Sequence, residues 1–176
     1  SFDGIFQNQT AGIVNSLLIP QDSDNSVAEQ TGIPGTIDLT ARNLTLTNGA
    51  QISSINSGVG DSGNINIDVV DSINIDGEGE SLRDDGTSRL INSEITTSVF
   101  GSGIGNSCDV NISTNNLALT NGGAVSTDSF GIGNAGDINI AAQTINIDGL
   151  WEFQEIVDDS GQVSRLASQS SISSET

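Results

Sequence analysis

The chain has 176 residues, of which 34% are hydrophobic and 3% aromatic, and 23 acidic side chains against 4 arginines give a formal net charge of −19. Such an acidic surface repels phosphate groups, so nucleic acid and anionic lipid surfaces are excluded as expected partners. The longest aliphatic run, Leu17–Ile19, is far shorter than the ~20 residues of a membrane span, and the lack of histidine excludes Ser-His-Asp and Cys-His catalysis.

Four segments along the chain share one template. They start at Gly35, Gly63, Cys108 and Gly136 and read GTIDLTARNLTLTNG, GNINIDVVDSINIDG, CDVNISTNNLALTNG and GDINIAAQTINIDG. The starts are 28, 45 and 28 residues apart, so a larger unit of 73 residues recurs. Residues 1–176 are therefore predicted to be a single repeat segment. Because both ends of the chain fall inside a repeat, we expect a fragment of a longer array.

Each template contains two predicted strands and a corner. Apolar residues alternate with polar ones, as in Ile37 and Leu39 and then Leu44 and Leu46, which predicts strands with one buried face. Asn-Gly or Asp-Gly follows each second strand and predicts a corner with left-handed backbone. A third short strand comes next, anchored by Ile52, Ile95, Val125 and Ile172. No stretch has helical periodicity, so the fold is predicted to be all-β.

Two all-β architectures are compatible with these strands. An antiparallel sandwich or barrel would pair neighbouring strands through the Asn-Gly and Asp-Gly turns. A parallel β-helix, or β-solenoid, would stack equivalent strands from successive coils about 4.8 Å apart. Because identical sequence motifs at a fixed period place equivalent residues against each other in stacked coils, the repeats favour a β-helix of about four coils. Asparagines at like positions, such as Asn74 and Asn146, are then expected to form hydrogen-bonded ladders.

A glycine-rich loop precedes three of the templates, as GVGDSG from Gly58, GIGNSC from Gly103 and GIGNAG from Gly131. Two copies match the dinucleotide fingerprint G-x-G-x-x-G, which binds a cofactor only where a helix follows. A strand follows here, so we predict a glycine corner with positive φ and no cofactor. Cys108 occupies a glycine position and is expected to be a small, buried or half-buried residue.

The longer repeat units contain an insertion with an acidic pair. The words SLRDDGTSRL and EIVDDSGQVSRL predict hairpin-like excursions with polar tips. Two functional alternatives stay open for Asp84, Asp85, Asp158 and Asp159, namely calcium binding and a two-acid site that cleaves polysaccharide. Trp151 and Phe153 either stack on a sugar ring or cover the apolar face of the excursion.

The words LTLTNGAQISS, FGIGNAGDINI and TINIDG closely resemble repeats of filamentous haemagglutinin-like exoproteins, the large partners of two-partner secretion systems, especially the long cyanobacterial forms. The resemblance implies a right-handed parallel β-helix that is exported through an outer-membrane transporter and displayed on, or shed from, the cell surface. It implies no particular functional residue.

The expected function is therefore a non-enzymatic, structural or adhesive segment of a secreted surface protein. Its adhesion partners would be surface glycans or proteins of a host or neighbouring cell. The alternatives are a polysaccharide lyase or hydrolase built on a β-helix, and a calcium-dependent surface assembly protein, because fold alone does not fix function.

Overall fold

The computed structural model describes residues 13–17, 34–82, 88–149, 152–157 and 163–176. All regular elements in these ranges are strands. They are β1 (Ile13–Leu17), β2 (Ile37–Thr47), β3 (Gln51–Asn56), β4 (Ile65–Asp76), β5 (Glu78–Leu82), β6 (Ser88–Asn92), β7 (Glu94–Val99), β8 (Val110–Thr120), β9 (Ala124–Ser129), β10 (Ile138–Asp148), β11 (Glu152–Val157), β12 (Val163–Ser168) and β13 (Ser171–Glu175). The prediction of an all-β chain is confirmed.

Two parallel sheets contain most of the strands. The first sheet has the order β1-β3-β7-β9-β13 and the second has the order β10-β8-β4-β2. We call each pair of strands that follow one another along the template a layer: β2 and β3 form layer 1, β4 and β7 layer 2, β8 and β9 layer 3, and β10 and β13 layer 4. The two halves of the template, residues 37–41 and 43–47, lie within one strand rather than pairing antiparallel.

The register places equivalent apolar residues of successive layers directly against each other. Ile75 pairs with Leu46 on one side and with Leu119 on the other, and Leu119 pairs with Ile147. Leu46, Ile75 and Leu119 of this column, together with Ile52, Ile95 and Val125 from the first sheet, belong to one hydrophobic core. Because β10 is an edge strand, Ile147 is 47% exposed, whereas Ile75 and Leu119 are 0% exposed.

The predicted corners have left-handed backbone at Gly49, Gly77 and Gly122, whereas the prediction is wrong at Gly149, whose φ is not positive. The first corner contains Asn48 and Gly49 with φ of 56° and 77°, and its counterpart in layer 3 contains Asn121 and Gly122 with φ of 50° and 92°. In the glycine-rich loops, φ is positive at Gly60, Gly105 and Gly133. A Cβ atom at Gly105 would lie 1.9 Å from the carbonyl oxygen of Gly60, so the close approach of neighbouring layers requires glycine there.

Two antiparallel hairpins interrupt the layers at the Asp-Gly corners. β5 pairs with β6 and β11 pairs with β12, as the predicted excursions require. In layer 1, which has no hairpin, the corner is closed by a hydrogen bond from the Ala50 amide to the Thr47 carbonyl oxygen at 3.1 Å. The inserted hairpins therefore occupy the position of this short turn.

A buried serine after each hairpin closes the corner by hydrogen bonds, in place of the short turn. The Ser93 hydroxyl donates to the Asp76 carbonyl oxygen at 2.8 Å and accepts from the Gly49 amide at 3.0 Å. The Ser170 hydroxyl donates to the Asp148 carbonyl oxygen at 3.0 Å and accepts from the Gly122 amide at 3.1 Å. One hydroxyl thus joins the ends of each insertion and ties that layer to the preceding one.

The core columns predict unequal costs for equivalent truncations. Ile75→Ala removes a fully buried side chain and should lower the free energy of unfolding by about 2–5 kcal/mol, because a cavity remains between two layers. The control Ile147→Ala removes the same atoms from an edge position that is already half exposed, so its cost should be clearly smaller. Urea denaturation of both variants measures the difference, and equal losses would contradict the packing.

The corner serines make a second prediction. Ser93→Ala leaves the Gly49 amide and the Asp76 carbonyl oxygen without their side-chain partner and should cost about 1–3 kcal/mol for each buried group left unpaired. Ser53 is the matched control, because it is 1% exposed but its hydroxyl has no partner. Ser53→Ala should therefore change the free energy of unfolding little. The same denaturation experiment applies, and a larger loss in Ser53→Ala than in Ser93→Ala would refute the assignment.

Candidate functional site

A ladder of side chains runs across the outward face of the second sheet. The Nδ2 atom of Asn66 donates to Oδ1 of Asp38 at 2.8 Å, that of Asn111 to Asn66 at 2.9 Å, and that of Asn139 to Asn111 at 3.0 Å. The ladder expected at Asn74 and Asn146 is wrong, because the register places Ala118 between them. An asparagine can pass a hydrogen bond only to the adjacent layer.

A second set of ladders lies at the glycine-rich corner. Oδ1 of Asp61 accepts from the Asn106 amide at 2.7 Å, and Oδ1 of Asn106 accepts from the Asn134 amide at 3.0 Å. In the neighbouring column, Oδ1 of Asp109 accepts from the Asp137 amide at 2.9 Å. In all these ladders the later layer donates and the earlier layer accepts.

A surface concavity follows the first ladder, but its polar side chains are already paired with one another. It encloses about 750 Å³ over the second sheet and is lined by Asp38, Asn66, Asn111 and Asn139 among others. These polar side chains already hydrogen-bond to one another. Their arrangement therefore holds the layers together and is not the candidate site.

Most of the acids and aromatics singled out from the sequence lie outside the described residues. This applies to Asp84, Asp85, Asp158, Asp159 and Trp151. For Phe153 the structure describes the backbone alone, which pairs with Ala167 across the second hairpin. A calcium or sugar site at these positions stays a prediction.

A different group of acids lies in a groove on the outward face of the first sheet. This groove, here called the Glu94 groove, has a volume of about 440 Å³ and is bounded by β3, β6, β7 and β9. Its polar lining includes Gln51, Asn92, Glu94, Thr96, Ser98 and Asp128. Its apolar walls are Ile55, Ile91, Phe100 and Phe130.

Glu94 is the most enclosed acid of the groove. Its Oε1 accepts a hydrogen bond from the Ser126 hydroxyl at 2.8 Å, and its Oε2 accepts from Nε2 of Gln51 at 3.3 Å. Burial raises the pKa of Glu94, the hydrogen bond from Ser126 opposes the rise, and the charge of Asp128 adds to it. Glu94 therefore holds a proton more readily than an exposed glutamate.

Asp128 is the second acid of the groove. Burial raises the pKa of Asp128, a hydrogen bond from Ser126 opposes this, and the charge of Glu175 on the neighbouring strand adds to it. The Ser126 hydroxyl can donate only one hydrogen bond at a time, and Oε1 of Glu94 at 2.8 Å and Oγ1 of Thr96 at 2.9 Å compete with Asp128 for its proton. The groove is richer in acceptors than in donors.

Two phenylalanines form the exposed end of the groove. The rings of Phe100 and Phe130 pack edge to face, with centroids 5.7 Å apart and planes at 73°. They are 57% and 60% exposed. Their backbones are held because the Phe100 amide donates to the Asn56 carbonyl oxygen and the Phe130 amide to the Val99 carbonyl oxygen, each at 2.9 Å. An exposed apolar corner formed by two nearly perpendicular rings therefore stands beside the two acids.

Sequence reasoning missed this groove because its residues come from four separate strands. The signal that could have found it is the alignment of the third strands, which puts Gln51, Glu94 and Ala124 in one outward column. Asp128 then follows four positions after Ala124 on the same face. The sequence pattern of these strands indicates only their inward apolar residues.

Three further features of the described residues concern metal binding, the single cysteine and membrane-spanning helices. No group of three or more histidine, cysteine, aspartate or glutamate side chains gathers within the described ranges in a way that could hold a metal ion. Cys108 is half-buried, as predicted, its amide donates to the Ser62 hydroxyl at 2.8 Å, and burial raises the pKa of its thiol. None of the described segments forms a helix with the length and apolar character of a membrane span.

Searches of protein-family models, of curated proteins and of solved structures found no match to this chain. The groove and the ladders are therefore interpreted from their own chemistry.

The buried carboxyl group of Glu94 predicts a pH-dependent stability. The pKa of folded Glu94 lies above the ordinary glutamate value of 4.5, so between 4.5 and the folded pKa the native state binds more protons than the unfolded state. Its contribution to stability is therefore present below pH 4.5 and is lost as the pH rises through the folded pKa. Glu94→Gln should raise the free energy of unfolding at pH 7. It should also reduce the decrease of that free energy between pH 4.5 and the folded pKa.

The control for this prediction is Glu80→Gln, which removes one negative charge from an exposed position of β5. Urea denaturation over a pH series measures both variants. A Glu94→Gln variant that follows the wild-type pH profile would show that this carboxyl group is solvated in the native protein.

Proposed function

We propose that residues 1–176 form a segment of a right-handed parallel β-helix that holds and presents loops on a secreted or cell-surface protein. The observation that carries the proposal is the four-layer ladder from Asp38 to Asn139, in which equivalent residues of successive repeats hydrogen-bond in register. Such layer-to-layer pairing is what a solenoid requires, because each repeat contacts only its neighbours.

The order of strands in both sheets supports a solenoid. Along the first sheet the third strands follow one another from layer 1 to layer 4, and along the second sheet the long strands do the same. A rod built in this way suits a role as spacer or scaffold, with its hairpins as the presented elements.

The seating of the first hairpin supports a display role. A Cβ atom at Gly79 would lie 2.0 Å from the carbonyl oxygen of Asn48, and one at Gly49 would lie 2.7 Å from Cγ1 of Ile91. The base of this hairpin therefore packs directly on the corner of layer 1. A base that is packed in this way supports the proposal that the hairpin is presented from the layers.

The extracellular location rests on the resemblance to filamentous haemagglutinin-like exoproteins and on composition. We infer export through the outer-membrane transporter of a two-partner pathway, followed by display on the surface or release. A net charge of −19 suits a protein that stays soluble and avoids anionic surfaces. Surface glycans or proteins of a host or neighbouring cell are the proposed adhesion partners.

A polysaccharide-cleaving enzyme is the second candidate, and the Glu94 groove is the observation that favours it. Glu94 and Asp128 are two carboxyl groups with raised pKa in one groove, and glycoside hydrolysis commonly uses a pair of acids. Calcium-dependent surface assembly is a third reading, with the acidic hairpin tips as its ligands.

The proposed location makes a prediction for cells that produce the full-length protein. An antibody raised against this segment should label intact cells or detect the protein in the culture medium, because an exported rod is accessible from outside. An antibody against a cytoplasmic protein, applied to the same cells, controls for lysis. Labelling that appears only after the cells are permeabilised would overturn the proposal.

Enzymatic activity is tested separately. The purified chain and its Glu94→Gln variant are incubated with neutral and acidic polysaccharides, and released reducing ends and unsaturated products are measured. A structural segment should release neither. Release by the wild type that is lost in Glu94→Gln would favour the enzyme over the structural proposal.

A further inference from the structure

We propose that the Glu94 groove binds one neutral pyranose unit of a glycan, with its ring against Phe100 and Phe130 and its hydroxyl groups donating to Glu94 and Asp128. The inference deepens the adhesive role proposed above and depends on that role only for the biological source of the glycan. The groove volume of about 440 Å³ falls within the roughly 300–1,000 Å³ typical of ligand pockets.

The balance of donors and acceptors in the groove calls for a ligand that donates hydrogen bonds. An ionised carboxylate only accepts, and two carboxylates offer about eight acceptor sites. Glu94 receives one hydrogen bond at each oxygen, from Ser126 and from Gln51. Because Ser126 has a single proton to share between Glu94 and Asp128, most acceptor sites remain for a ligand rich in hydroxyl groups.

The aromatic pair gives the groove the apolar surface that a sugar ring needs. The C–H bonds of one pyranose face are apolar, and a phenylalanine ring presents a face of suitable size and negative potential. Phe100 and Phe130 are more than half exposed, although an isolated large aromatic side chain is normally covered. Each ring belongs to a different layer, and because their planes are inclined at 73°, a sugar ring can lie against the face of one phenylalanine and the edge of the other.

The charge of the groove selects among sugars. No basic residue lies among the described residues that line it. Two carboxylates without a counter-charge would repel uronic or sialic acids, so the preferred unit carries no carboxylate. A divalent cation is a poorer occupant, because the described residues bring together no group of three acidic or other metal-binding side chains.

The experiment uses the isotopically labelled 176-residue chain and its backbone amide NMR spectrum. Cellohexaose, maltohexaose and mannohexaose are added separately, and hexagalacturonic acid and calcium chloride serve as the two competing ligand classes. At least one neutral oligosaccharide should shift the amides of Glu94, Thr96, Phe100, Asp128 and Phe130 while most other amides stay in place. The acidic oligosaccharide should leave these amides unchanged.

Two variants with matched controls locate the binding. Phe130→Ala and Glu94→Gln should each weaken the neutral oligosaccharide about tenfold, equivalent to about 1.4 kcal/mol. Val70→Ala, which truncates a 57% exposed side chain outside the groove, and Glu80→Gln should bind as the wild type does. The amide spectrum of each variant also reports whether it is folded.

Several results would overturn the proposal. These are the absence of shifts with all three neutral oligosaccharides, equal or tighter binding of hexagalacturonic acid, and calcium alone shifting the Glu94 and Asp128 amides. Unchanged affinity in a folded Phe130→Ala variant would overturn it as well. Failure of the surface labelling would leave these binding results intact, so the two proposals fail independently.

Discussion

The structure depends on one constraint: each layer must pair its backbone with the next layer and place its apolar residues against those of the next. The parallel register brings Ile65 to Ile37 and Val110 to Ile65, and the apolar columns resume beyond a one-residue register shift in β4. Buried isoleucines, asparagine ladders and glycine corners all follow from this requirement, since each needs its counterpart one layer away. A substitution in an inner layer must therefore be compatible with the layers on both sides.

Much of the fold is predictable because this constraint acts on the sequence locally. Alternation of apolar and polar residues identifies the strands, and the Asn-Gly and Asp-Gly words identify corners whose φ is positive at Asn48 and Asn121. Recurrence at 28 and 45 residues identifies the pairing partners, since the ladders join residues separated by these distances. The glycine-rich loops were predictable as corners because a strand follows each of them, and φ is positive at Gly60, Gly105 and Gly133.

The predictions failed where an outcome depended on more than two layers or on elements distant in sequence. Asn74 and Asn146 look equivalent in the sequence, yet Ala118 separates them in the sheet. The Glu94 groove combines the base of the first hairpin with three strands of the first sheet, and no local pattern reports this combination. The burial that raises the pKa of Glu94 is likewise a property of the assembled sheet and not of the EITTSV strand.

The serine closure of the corners has a consequence for how such chains evolve. Ser93 and Asp76 are 17 residues apart, whereas Ser170 and Asp148 are 22 apart, yet both pairs make the same short hydrogen bond. The same hydrogen bond thus closes the corner around inserted hairpins of different length. A corner of this kind is a natural grafting point, where a foreign segment can be spliced in and exchanged while the layers on either side keep their register. Diversity can then accumulate in the inserted segment while the parallel layers stay unchanged.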